Sequence, residues 1–376
     1  MSESNRGVTF VTCEYIPFPG GIATYVSGLL NATKQRTSMT SVIAPQYAHL
    51  SDASADESVY RYLKHHEIGL SAGLRSLALI RRLPADDILV AADVRAVLFL
   101  YCSKFIHRRS YRSMVHGSEA AKFKKRSPIF WLVRKAYIHS ERVMYNSRAT
   151  RNIFVDAFGA PKEEIVTYLG VDQQWFTNES AFFEHEKLIA LPDKTKIICS
   201  VGRLERRKGH LETIRALGRA RKYLGDFVYV IAGRPEEDTY VREIETEAQR
   251  LEVPVIVTGR LEQADIKRLY SRAVINLLFA QPLSGKVEGF GLVLLEAAAQ
   301  GCPTIGSNTG GIPEVLDECG ILVEHDDLDE LAHQIIRVYS DRELRRNLSM
   351  ASIERARSFT WERCSRLSFP ELYVQS

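Results

Sequence analysis

The chain has 376 residues, 26% charged and 45% hydrophobic, with 23 Gly and 13 Pro, a composition that excludes disorder and fibrous repeats. No run approaches the roughly 18 uninterrupted apolar residues of a membrane span, and the polar start has no signal core behind it, so a cytoplasmic protein is expected. Six cysteines (Cys13, Cys102, Cys199, Cys302, Cys319, Cys364) stand singly, which argues against a disulfide framework or a zinc ribbon, and a net charge of +4 is too small to indicate nucleic acid.

From the N-terminus, short β-branched runs alternate with segments of helical period, the pattern of repeated βαβ units and parallel sheets. Strands are predicted at 8–13, 40–44, 87–91, 111–115 and 142–145, with helices at 22–34, 70–83, 94–105, 128–139 and 147–158. The rhythm breaks over 170–191, where turn residues, Trp175, Phe176 and acids precede Pro192 and Asp193. A second series has strands at 196–201, 227–232, 255–258, 274–279, 304–305 and 321–323, then a helical tail over 340–373. The expected fold class is α/β, with two Rossmann-like doubly wound domains at 1–172 and 173–355 and a C-terminal helix, 356–376, crossing back to the first. Two such sheets turn their strand carboxyl ends toward a common crevice, where ligands bind in this architecture.

The strand at 196–201 runs into Gly202-Arg203-Leu204-Glu205-Arg206-Arg207-Lys208-Gly209 and then a helix. Such a turn offers backbone N–H groups and a positive helix end to an anion, and Arg203 with Lys208 adds two cations that clamp a diphosphate. The plain alternative is a solvated basic loop, with Arg206 and Arg207 facing water. Further on, Glu288 precedes the turn Gly289-Phe290-Gly291-Leu292, and Glu296 lies in an otherwise apolar helix, where a carboxylate needs a partner. A helix starting near Gly291 carries Glu296 roughly 7–8 Å along its axis, which leaves the two carboxylates about 10 Å apart, suited to two ends of one extended ligand. Otherwise Glu288 is a helix-entry acid and Glu296 a salt-bridge partner.

In the first half, Gly20 and Gly21 follow the first strand and allow a close backbone approach to phosphate. His116-Gly117 ends another strand of the same sheet, a position for touching substrate or for packing alone. Three patterns mislead. Gly69-Leu70-Ser71-Ala72-Gly73 matches a nucleophile elbow, but no apolar strand leads into it, so Ser71 reads as a helix start. Asp327-Leu328-Asp329 has metal-binding spacing but opens an amphipathic helix, whose dipole suits acids. Dinucleotide, P-loop and zinc-protease motifs are absent.

Charge is uneven: residues 101–151 hold 13 Lys or Arg against Glu119 and Glu141. Within them Lys122, Lys124, Lys125 and Arg126 interleave with Phe123 and precede Phe130, Trp131, Arg134 and Lys135. This is the chemistry of an interfacial segment over anionic lipid, with a solvated basic face as the alternative, and on the first reading a peripheral position at the inner face of the cytoplasmic membrane is expected.

Taken together, Gly20-Gly21, His116-Gly117, Arg203 with Lys208, and the Glu288 to Glu296 spacing followed by Gly310-Gly311-Ile312-Pro313-Glu314 resemble the retaining nucleotide-sugar glycosyltransferases of the GT-B fold, glycosyltransferase family 4 (group 1). The resemblance is dense over 196–323 and thinner before. It implies that Arg203 and Lys208 hold the donor diphosphate, Glu296 the ribose hydroxyls, and Glu288 with the backbone of Gly289, Phe290, Gly291 and Leu292 the transferred sugar. Arg260 and Leu261 fall where the family's backbone meets the nucleotide base. His116 resembles the residue touching the sugar from the first domain, and Gly20 or Gly21 the glycine admitting the acceptor. The implied catalytic set is His116, Glu288, Arg203 and Lys208. The implied reaction moves a hexose of mannose, glucose or N-acetylhexosamine type from a nucleotide diphosphate sugar to a lipid-linked or envelope glycan acceptor. Retention, no cofactor and no metal go with it. Residues 281–286 depart from the family pattern as an insert-like loop. The competing readings are a sugar-nucleotide epimerase of the same fold, a transferase acting on a soluble small-molecule acceptor, and a non-catalytic nucleotide-sugar binder.

Overall fold

The computed structural model describes residues 6–18, 20–47, 58–117, 127–177, 182–283 and 287–374. They fall into two compact units, one of Met1–Gly170 with Thr360–Ser376, the other of Val171–Phe359.

The first unit is built on a seven-stranded sheet of β1 (Val8–Val11), β2 (Thr40–Pro45), β3 (Val59–Leu63), β4 (Ile88–Ala91), β5 (Arg112–Val115), β6 (Val143–Tyr145) and β7 (Glu164–Val166). Their order is β3-β2-β1-β4-β5-β6-β7, and every neighbouring pair is parallel. The second unit has β8 (Lys196–Val201), β9 (Phe227–Ala232), β10 (Val255–Gly259), β11 (Ala273–Leu278), β12 (Thr304–Ser307) and β13 (Ile321–Val323) in the order β10-β9-β8-β11-β12-β13, again all parallel. Continuous apolar runs such as Phe227–Ala232, buried at every residue, cover both faces of a parallel sheet with helices, as its chemistry demands. The strand order reverses at β1/β4 and at β8/β11, and loops leaving the carboxyl ends there are where doubly wound sheets bind ligands.

Two strands were not anticipated. β3 reads Val-Tyr-Arg-Tyr-Leu on a sheet edge with four half-buried residues, and β7 has three residues. The helix predicted at 94–105 breaks into Val94–Cys102 and Lys104–His107. The helical tail is made of two helices: Arg342–Arg357 belongs to the second unit, and Trp361–Ser368, capped by the Thr360 side chain, to the first. The second of them is wedged against the first unit, since a Cβ on Gly28 would lie 2.2 Å from the Trp361 ring. Arg112, 5% exposed, ties it down through Glu371 at 2.6 Å and the Ser368 carbonyl at 2.8 Å.

Candidate active site

The chain leaving β8 makes a 3-10 turn, Arg206–Lys208, closed by Gly209 at φ 71°. A Cβ there would sit 1.9 Å from the carbonyl oxygen of Phe279, just past β11, so only glycine lets the turn press against the neighbouring strand. That contact carries Lys208 to the loop holding Glu288. The loop is pinned in turn, because Gly311 N–H donates to the Glu288 carbonyl at 2.9 Å and a Cβ on Gly310 would meet that oxygen at 2.2 Å. The Gly310-Gly311 pair singled out in the sequence is thus a packing requirement of the Glu288 loop.

These supports bring five charges of alternating sign together. Lys208 Nζ lies 2.7 Å from Glu288 Oε2, and Arg207 Nη1 lies 2.5 Å from the same oxygen. The other guanidinium nitrogen of Arg207 donates to Glu205 Oε1 at 2.5 Å, and Arg203 reaches that oxygen at 3.5 Å. The side chains of Glu205, Arg207, Lys208 and Glu288 are 3%, 8%, 10% and 10% exposed, whereas Arg203 at the end of the row is 63% exposed. Burial alone would raise the Glu288 carboxyl, but Lys208 and Arg207 outweigh it and hold it at about 2. Arg203, Lys208 and Glu288 are therefore brought into one row of ion pairs. Arg207, which the solvated-loop alternative left facing water, is the buried centre of the row, while Arg206 stays outside on Glu243 and Tyr240.

Gly291, at φ 88°, opens the helix Leu292–Ala299 without a side-chain cap, which leaves its first backbone N–H groups to an anion or a sugar oxygen. Gly289 and Phe290 are buried, Phe290 edge-on to Phe359. Glu296, on this helix, is not a salt-bridge partner: among the described residues its carboxylate takes no hydrogen bond and no cation. Burial and the neighbouring carboxylate of Asp172 push it up to about 7. Asp172, 124 residues earlier, carried no sequence signal of its own. Arg260 is exposed and Leu261 buried after Gly259, so this stretch offers main chain and a guanidinium rather than a leucine side chain.

The remaining candidates lie in the first unit. His116 follows β5, its Nε2 donating to the Ala92 carbonyl at 2.7 Å and its ring edge-on to Tyr25. Gly20 and Gly21 start the helix Gly21–Lys34 beyond β1, and a Cβ on Gly21 would meet nothing within 4 Å. No internal crowding therefore demands glycine at Gly21. Asp93, which the sequence reading passed over, joins β1 to β4 by accepting from Cys13 N at 2.5 Å while capping the helix Val94–Cys102.

Lys122, Lys124, Lys125 and Arg126 lie outside the described residues, as do 284–286 of the insert-like loop. Beyond them Trp131 is 47% exposed with Arg134 over its ring, but Phe130 is core rather than surface. Ser71 sits inside the helix Leu70–Arg82. Asp327 caps the helix Leu328–Ser340, and Asp329 pairs with Arg219 at 2.7 Å. No helix among the described residues is long and apolar enough to cross a membrane.

Residues 182–355 match the sequence profile described as glycosyl transferases group 1, and residues 19–175 that described as glycosyltransferase family 4. A Corynebacterium glutamicum protein named GDP-mannose-dependent monoacylated alpha-(1-6)-phosphatidylinositol monomannoside mannosyltransferase is 27% identical over 90% of both chains. A Mycobacterium tuberculosis GDP-mannose-dependent alpha-(1-6)-phosphatidylinositol monomannoside mannosyltransferase is 25% identical over 89% of this chain and 90% of that one. Among solved structures, Anabaena HepE in complex with UDP and glucose superposes with a TM-score of 0.79 at 17% identity, covering 98% of this chain and all of that one, a likeness of fold.

Proposed function

We propose that this chain, which belongs to the glycosyltransferases of group 1 (family 4), moves a mannosyl group from GDP-mannose to a glycolipid headgroup at a membrane surface, with retention and without a metal. The observation that carries the reading is the row Arg203, Glu205, Arg207, Glu288 and Lys208 at the carboxyl ends of β8 and β11. Its two outer cations suit a diphosphate, and Glu288 Oε1, which takes no hydrogen bond among the described residues, is left for sugar hydroxyls.

Bond cleavage at the anomeric carbon builds negative charge on the leaving diphosphate oxygen. Arg203, Lys208, once it turns from Glu288, and the N–H groups at the start of Leu292–Ala299 stabilise that charge, the office a metal fills elsewhere. The leaving phosphate takes the proton of the acceptor hydroxyl as it attacks from the same face. Glu288, which keeps Arg207 as its counter-ion, orients the sugar and forms no covalent bond. Glu296 accepts hydrogen bonds from the ribose hydroxyls. GDP-mannose as donor and a mannosylated phosphatidylinositol as acceptor follow the names of the relatives aligned over nine-tenths of the chain.

A panel of GDP-, UDP- and ADP-sugars tested for thermal stabilisation checks the donor. GDP-mannose is expected to raise the melting temperature most, and stabilisation by UDP-sugars alone overturns the choice of base.

A further inference from the structure

Arg207 has no part in the donor contacts above, yet it is more enclosed than either cation that does, at 8% exposure against 10% for Lys208 and 63% for Arg203. We infer that Arg207 is a positioning residue, the standing counter-ion that keeps Glu288 paired and in place when Lys208 turns from Glu288 to the donor diphosphate. The inference rests on the proposed donor site.

The geometry gives Arg207 that role. It shares Oε2 of Glu288 with Lys208, so one cation can leave while the other stays. Its planar fork spans two carboxylates, Glu205 and Glu288, which a lysine ammonium in its place would not bridge. The backbone is held as well, since the Arg207 carbonyl accepts Gln281 N–H at 2.8 Å beyond β11. Lys208, in contrast, ends in a single nitrogen on a flexible stem. Without Arg207, each arrival of a diphosphate would strip Glu288 of its only cation, and a buried carboxylate left alone takes up a proton. The other groups facing the row cannot replace it. Glu205 is an acid, Arg203 lies on the far side of Glu205, and burial with Lys208 nearby holds His210 neutral, its ring down at about 3.

The readout is the proton balance of donor binding, which a merely structural arginine would not alter. GDP-mannose is titrated calorimetrically, in buffers of different ionisation enthalpy, into wild type, Arg207→Gln and Arg207→Lys. Arg207→Gln is expected to bind about tenfold or more weakly and to take up about one more proton than wild type, with Arg207→Lys between them. Wild-type affinity and proton count in a folded Arg207→Gln overturn the inference. Lys208→Gln supplies an arm that needs neither Arg207→Gln to fold nor a ligand. With Arg207 sufficient for Glu288, its thermal stability gains no new titration between about pH 5 and pH 8, and a new one there contradicts the inference. Failure of wild type to bind any nucleotide sugar counts against the donor site instead, and leaves this second arm to judge Arg207.

Discussion

Glu288 and Glu296, eight residues apart, hold carboxyls of opposite character: one is kept at about 2 by Lys208 and Arg207 against its burial, the other raised to about 7 by burial and Asp172. One short segment thus carries a fixed anion and a titrating acid, which the proposed donor site assigns to the sugar and to the ribose. Such divergence between two nearby carboxyls marks sites where each has its own task.

The titration of Glu296 makes donor binding pH-dependent. An ionised Glu296 accepts from two ribose hydroxyls and a protonated one does so poorly, so GDP-mannose affinity should rise as pH rises through about 7. Asp172→Asn removes the neighbouring negative charge, and the midpoint should move to lower pH. Calorimetric titration across that range checks both, and a flat profile in wild type contradicts the role given to Glu296.

The same group sets a stability trend of definite sign. Its folded value lies above its ordinary 4.5, so the folded state binds more protons between 4.5 and about 7 and loses stability as pH rises through that window. Glu296→Gln should melt higher than wild type at about pH 8 and nearly with it at about pH 4, while donor binding weakens. Glu288 works the other way. Held at about 2, it contributes stability that is present above 4.5 and lost as pH falls toward 2.

Replacing the diphosphate cations should cost turnover more than ground-state binding, because the charge they meet grows as the bond breaks. Lys208→Ala and Arg203→Ala are each expected to lower kcat by about 10²–10³-fold, the scale of losing one preorganised donor to a developing anion. Wild-type kcat in both removes them from the mechanism. Activity should also survive EDTA. Loss restored by Mn²⁺ would call for a metal-bridged diphosphate.

Two glycines separate packing from ligand approach. Gly209→Ala forces a Cβ to 1.9 Å from the Phe279 carbonyl at a positive φ, and should destabilise the chain by about 2 kcal/mol or more. Gly21→Ala meets nothing within 4 Å and should stay within about 0.5 kcal/mol of wild type by thermal melting. If the acceptor or donor passes close to the start of that helix, the same Gly21→Ala variant loses activity while keeping its stability.

Membrane association is tested by sedimentation with vesicles. At about 1 kcal/mol per cation near an anionic surface, Lys122, Lys124, Lys125 and Arg126 should hold the protein on anionic vesicles at low salt and release it as salt rises. Changing the four to Gln should weaken sedimentation, and indifference of wild type to anionic vesicles favours a soluble acceptor.

Much of the fold was legible because its central strands are buried on both faces, so runs such as Phe227–Ala232 stand out as unbroken apolar segments. β3 was not, since an edge strand with Arg61 between two tyrosines has no such pattern. Arg203, Lys208 and Glu288 were found as residue types at a spacing. Arg207 was given no part in the site because nothing local tells which cation of Arg203 to Lys208 turns inward. Its partners lie two residues back and 81 residues on, and the Gly209 contact with Phe279 decides the matter. Asp172 was missed for the same reason, its effect on Glu296 being created by tertiary proximity alone.

The central claim is tested most directly by incubating the protein with isotope-labelled GDP-mannose and phosphatidylinositol monomannoside in EDTA, then reading the anomeric configuration of the product by NMR. The account predicts a single new α-mannosyl linkage on the lipid headgroup, formed at an undiminished rate without metal. A β-linked product, or label recovered only as free mannose or unchanged donor while a UDP-sugar is transferred, would contradict it.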